Sequence, residues 1–110
     1  MLVDDDGAMV TPGGQRIDLR RRLALRRIVL ALVEHHLNVP GEALSPTALI
    51  EAGWPGERMT AASGRNRLHV ALATLRALGL RPWLHRCARG YSFVTELCIA
   101  RDGSVALRVA

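Results

Sequence analysis

Residues 61–94 read AASGRNRLHVALATLRALGLRPWLHRCARGYSFV, and the fold turns on how this stretch divides. No proline falls between 61 and 79, and Leu68, Ala71, Leu72, Leu75 and Leu78 recur at helical spacing. A helix over 61–79 follows, closed by Gly79 as a C-cap. Beyond it stand two short strand-like runs, WLHRC and YSFV, joined by Ala88-Arg89-Gly90. They predict a β-hairpin over 83–94, with Tyr91 and Phe93 alternating toward the interior.

Upstream, Ser45 is an N-cap, Pro46 takes the first helical position, and Ala48, Leu49, Ile50 and Ala52 follow before Gly53. Trp54-Pro55-Gly56 ends this second helix, with Trp54 expected as a core anchor. A first helix is expected over 20–38, RRRLALRRIVLALVEHHLN, with Leu25, Ile28, Val29, Leu32 and Val33 as its core stripe. Val39-Pro40-Gly41 stops it. Its leading arginines would sit at the positive end of the helix dipole, so an acidic neighbour or a phosphate would relieve them. Residues 8–19, AMVTPGGQRIDL, read as a hairpin about Pro12-Gly13-Gly14. ELCIA and SVALRVA, joined by Arg101-Asp102-Gly103, predict an extra C-terminal hairpin within 95–110. Residues 1–7 read as an acidic tail.

At 110 residues the chain has the length of one domain, 1–110, and its 49% hydrophobic content suits a packed core. The longest aliphatic run, Ile28 to Val33, is far short of the roughly 18–20 residues that span a membrane. MLVDDDGAMV is acidic where a secretory signal is basic and then apolar, so the expected compartment is the cytoplasm, with no membrane partner. Cys87 and Cys98 form no disulfide framework or zinc pattern and are expected as reduced packing residues.

All fifteen basic residues are arginine, and their placement is uneven. Residues 20–94 hold twelve arginines against Glu34, Glu42, Glu51 and Glu57, a net charge of +8. Residues 1–19 carry −3 and residues 95–110 carry zero. A basic middle suits a polyanionic partner, although an arginine-rich solvated surface has the same composition.

Three helices followed by a basic hairpin make the winged-helix plan, an α+β fold in which a β-wing is appended to a helix-turn-helix. The expected architecture is a three-helix core with an N-terminal β-hairpin and a C-terminal β-wing. The run IDLRRRLALRRIVLALVEHHLNVPGEALSPTALIEAGWPG resembles the first two helices of OmpR/PhoB-type effector domains of bacterial transcriptional regulators. NRLHVALATLRALGL resembles their recognition helix, and Arg89-Gly90-Tyr91 resembles the Gly-Tyr strand of their wing. The likeness covers roughly residues 8–94. It implies a DNA-binding regulator, or the effector domain of one, with helix 61–79 in the major groove and wing 83–94 on adjacent backbone or minor groove. Double-stranded DNA is the implied partner, with RNA polymerase or a regulatory protein beside it.

Projected at about 100° per residue, the helix places Asn66, Val70, Ala73 and Ala77 opposite its core face. Arg65, His69 and Arg76 flank one side, and Arg67 and Thr74 the other. On a duplex, Asn66 would bond adenine, Val70 and Ala73 would meet thymine methyls, and Arg65, Arg67 and Arg76 would hold phosphates. Arg86 and Arg89 on the wing would add a phosphate or minor-groove contact. The alternative is a winged-helix protein-interaction module that has lost specific DNA binding, with the smooth Val70-Ala73-Ala77 strip as its docking face. Relatives usually carry basic residues where Ala73 and Thr74 stand, and the departure weakens the DNA reading without displacing it as the favoured one. A weak, sequence-indifferent architectural protein is a third class.

Catalytic and metal patterns are not legible. His35 and His36 are adjacent on one helix and diverge by about 100°, with no HExxH, cysteine pair or carboxylate cluster beside them. His69 and His85 are isolated, and Gly13-Gly14 precedes no GK that would make it a phosphate loop. No enzyme, cofactor or metal is expected.

Overall fold

The computed structural model describes residues 1–3 and 8–94. Its N-terminal sheet is antiparallel, in the order β1 (Leu2–Val3), β2 (Ala8–Val10), β3 (Arg16–Asp18). Val3 faces Met9 and Met9 faces Ile17, and all three side chains are buried, so one face of the sheet belongs to the core. The turn between β2 and β3 is closed by the Gly14 N–H donating to the Thr11 carbonyl at 2.8 Å. The buried Thr11 hydroxyl accepts from the Gln15 N–H at 3.1 Å. The hairpin expected over 8–19 is therefore present, widened by a third strand. Of the stretch read as an acidic tail, Leu2–Val3 are sheet, because Met1 and Val3 have apolar side chains to bury. Asp4, Asp5 and Asp6 lie outside the described residues, as do Cys98 and the hairpin expected within 95–110.

The first helix, α1 (Leu23–Asn38), starts three residues later than its arginine-rich sequence predicts. Asp18 explains the delay. Its carboxylate accepts the Arg20 backbone N–H at 3.0 Å and the Arg20 guanidinium at 2.7–3.1 Å. That local clamp, and the Arg22 N–H donating to the Leu19 carbonyl at 3.0 Å, hold residues 19–22 in a turn. The core stripe is as the periodicity requires: Leu25, Ile28, Val29, Leu32 and Val33 are buried, with His36 set edge-on to Phe93 at 6.4 Å.

The second helix, α2 (Pro46–Gly53), opens with the Ser45 hydroxyl accepting from the Ala48 N–H at 3.1 Å. The third, α3 (Ala61–Leu75), is capped in the same way by Thr60 on Ser63. It buries Gly64, Leu68, Ala71, Leu72 and Leu75, then widens into a turn over Arg76–Leu80. Gly79 breaks the helix at φ 133°, in the cap role its position predicts. Beside it, the Gln15 side chain donates to the Leu78 carbonyl at 2.7 Å, so the N-terminal hairpin is bonded to the turn that follows α3.

Strands β4 (Leu84–Cys87) and β5 (Gly90–Phe93) pair antiparallel, with Cys87 opposite Gly90. Leu84, Tyr91 and Phe93 point inward and are buried. Cys87 does not pack as expected and is exposed, because near the tip of a two-stranded ribbon neither face meets the core. Helix α1 packs on α2, α3 and β5, and α2 packs on α3. Three helices flanked by an N-terminal sheet and a C-terminal hairpin make a winged helix-turn-helix domain.

The Asp18 carboxyl is held at about 2, below its ordinary 3.8, chiefly by the Arg20 side-chain hydrogen bonds and then by the Arg20 backbone N–H. A lowered folded-state value stabilises the turn above the unfolded value, and this contribution is lost as pH falls through about 2. Titration of the Asp18 carboxyl by NMR should show that low midpoint, and Arg20→Ala should move it upward. An unchanged midpoint in Arg20→Ala would remove the clamp as the cause.

Candidate functional site

The outer surface of α3 presents Arg65, Asn66, Arg67, His69, Val70 and Ala73 to solvent, while Thr74 and Arg76 are half-buried. No aspartate or glutamate occurs between residues 58 and 94, so carboxylates are absent from this helix and from the wing. Arg86 and Arg89 are both exposed on the β4–β5 hairpin. The ten residues singled out in the sequence thus lie on one helix and one hairpin, but they do not form one cluster.

Two flanks of α3 face different neighbours. Asn66, Arg67, Val70 and Thr74 line an open groove of about 600 Å³. Its far wall is Arg22, Leu23 and Trp54. On another flank, the Arg76 guanidinium lies 5.9 Å from the ring centroid of Tyr91, tying the end of the helix to the wing. Arg65, His69 and Ala73 line neither the groove nor this contact.

The polar groups differ in what they have left to offer a ligand. Arg67 donates from Nη1 to Glu57 Oε1 at 2.9 Å, with both side chains about half exposed, so one of its five donors is engaged. Thr74 donates its hydroxyl proton to the Val70 carbonyl at 2.9 Å, leaving it only acceptor capacity; a phosphate oxygen would have to break that bond. Arg22 has no ion-pair partner among the described residues.

Sequence reasoning missed the wall opposite α3. Leu23 was the available signal, since it stands about 200° from Leu25 on a helix wheel and so off the buried stripe. Trp54, expected in the core, is only half-buried: it packs against core residues and also lines the groove. Glu57 as the partner of Arg67, ten residues away, has no periodic signal at all.

Among the described residues no group of three or more His, Cys, Asp or Glu side chains is placed to hold a metal ion. No helix among them is long and apolar enough to cross a membrane. The arrangement is a binding surface of cations, one amide and small apolar side chains on a winged helix-turn-helix frame. No protein-family model matches the chain, and no curated protein or solved structure matches it either.

The half-exposed Arg67–Glu57 pair should be weak. A double-mutant cycle with Arg67→Ala and Glu57→Ala, read by chemical denaturation, should give a coupling of about 0.2–1 kcal/mol that shrinks with added salt. A salt-insensitive coupling several times larger would mean that the pair is part of the frame and not available to a ligand.

Proposed function

We propose that this domain binds double-stranded DNA as the effector module of a transcriptional regulator of OmpR/PhoB type, recruiting or blocking the transcription machinery at a promoter. The supporting observation is the sign and placement of charge: exposed arginines stand on α3 and on the wing, on elements that carry no carboxylate. A duplex bears about one negative charge per 1.7 Å of axis and rewards such a surface through counterion release. With α3 in the major groove, the exposed Asn66 has the donor and acceptor pair that adenine requires, and Val70 and Ala73 suit thymine methyls. Arg65 and Arg67 would hold phosphates, and His69 would meet the groove edge. Arg76 and Thr74 act mainly inside the protein, through Tyr91 and the Val70 carbonyl, and contribute less. Arg86 and Arg89 on the hairpin would meet adjacent backbone or a narrow minor groove.

Affinity for duplex DNA should fall steeply with salt. Five or so phosphate contacts give a log–log slope of about −4 to −5, at roughly −0.9 per contact. A flat response in a fluorescence-anisotropy titration would refute DNA binding of this kind.

Positioning and reading should separate by mutation. Arg86→Ala with Arg89→Ala, and Arg67→Ala alone, should weaken all duplexes alike, with the wing variant melting near the wild-type temperature. Asn66→Ala should instead lower discrimination at one base pair by about 1–3 kcal/mol. If the sequence preference selected from a random duplex pool survives Asn66→Ala unchanged, α3 is not reading bases through that amide.

A further inference from the structure

The groove between the start of α1 and the flank of α3 is chemically unlike the rest of the surface. Val70 is 59% exposed and Leu23 47%, the two highest values among the exposed large hydrophobic side chains of the described residues. They stand on opposite walls of the same groove, with Trp54 beside them. Large apolar side chains gathered this way mark a contact surface more often than isolated ones do. Cations edge the groove: Arg22 on the α1 side and Arg67 on the α3 side. Among the described residues, no aspartate or glutamate lines it. Its volume of about 600 Å³ lies within the usual range of ligand-binding clefts.

We propose that this groove docks an acidic amphipathic segment of a partner protein, apolar side chains seated between Leu23, Trp54 and Val70 and carboxylates on Arg22 and Arg67. Charge complementarity selects the occupant. A nucleic-acid backbone would use the two arginines but would leave an aliphatic and indole floor with no group to satisfy. A neutral apolar peptide would fill the floor and leave Arg22 unpaired. A segment carrying leucine or phenylalanine on one face and glutamate at the margins satisfies both, in the helix-in-groove mode. The Glu57 carboxylate already shows what Arg67 accepts, in a half-exposed pair that a partner carboxylate would exchange with at little cost. The N-terminus of α1 adds the same sign, since its first turn carries no acidic residue and Arg22 provides no side-chain cap.

This docking site goes beyond the DNA reading, and the two are separable because Leu23, Trp54 and Arg22 belong only to the groove. The probe is a capped, fluorescein-labelled peptide of about fourteen residues with leucine and glutamate in helical amphipathic order. Its controls are the same peptide with lysine for glutamate and a scrambled sequence. Titration into the whole chain should give saturable anisotropy for the glutamate peptide and none for the controls. Leu23→Gln and Val70→Glu should each weaken it about tenfold or more, which is at least about 1.4 kcal/mol. Arg22→Ala should weaken it several-fold, and backbone amide shifts in NMR should cluster at residues 22–25 and 66–74. Arg86→Ala with Arg89→Ala should leave peptide binding intact, while Leu23→Gln should leave duplex binding intact. Circular dichroism melts of each variant establish that it is folded, as the high exposure of Leu23 and Val70 predicts. The proposal is overturned if the lysine or scrambled peptide binds as well, or if Leu23→Gln has no effect. It is also overturned if short duplex DNA, and not the peptide, shifts the amides of residues 22–25, which assigns the groove to nucleic acid.

Discussion

The wing is held to the body by one backbone bridge. Leu44 and Tyr91 exchange both hydrogen bonds, at 2.7 and 3.0 Å, so a single residue ahead of α2 serves as a third strand for β4 and β5. A two-stranded hairpin is marginal in water by itself, and this added rung, with Phe93 buried against α1, makes it part of the domain. The next residue, Ser45, caps α2, so the same short segment fixes the wing and starts the helix-turn-helix. Gly90 is the condition for this. Its φ of 145° is left-handed space, and a Cβ there would collide with the Leu44 carbonyl. Any side chain at 90 would push the wing off Leu44 and displace the Tyr91 ring on which Arg76 rests.

Helix α3 is tied in at both ends. Its inner face combines Leu68, Leu72 and Leu75 with the small Gly64 and Ala71, and it packs on α2 and α1. Gln15 holds the Leu78 carbonyl in the turn that follows α3, Arg76 rests on Tyr91, and Thr60 caps the start of the helix. The outer face is left free of structural duty. Asn66, Val70 and Ala73 are exposed there because the core needs nothing from them.

The framework was legible because each element carries its own punctuation. Ser45-Pro46, the leucine spacing of α3, Gly79 and the Ala88-Arg89-Gly90 turn are local signals, and each stands in the structure where the residues put it. The start of α1 was not legible. Helix propensity rates arginine highly, and only the tertiary placement of Asp18 at the end of β3 shows that Arg20 is used in a clamp before the helix begins. Strand β1 escaped for a related reason: two residues make no period, and Val3 becomes recognisable as core only once β2 lies beside it. For the candidate site, the projection of α3 separated buried Leu68, Ala71, Leu72 and Leu75 from exposed Asn66, Val70 and Ala73, but not the half-buried Thr74, Arg76 and Leu78. It could not show that one outer flank faces Leu23 and Trp54, since that requires α1 and α3 to be packed.

Sharing of α3 couples the two binding modes proposed for this surface. Asn66, Arg67 and Val70 border the groove and are also the residues proposed to meet a duplex, so on those two proposals one occupant would exclude the other. For strict exclusion, a partner at concentration [L] and dissociation constant Kd raises the apparent dissociation constant for DNA by 1 + [L]/Kd, whatever the base sequence. The reciprocal holds, since linkage between two binding free energies is symmetric. A partner at about one hundred times its Kd would therefore weaken DNA binding about a hundredfold, equivalent to ~2.7 kcal/mol. That is comparable to losing one or two base contacts at the cost typical of a mismatched pair. On those two proposals, a winged-helix domain built in this way would need no conformational switch of its own to be regulated: competition for the flank of one helix would be sufficient.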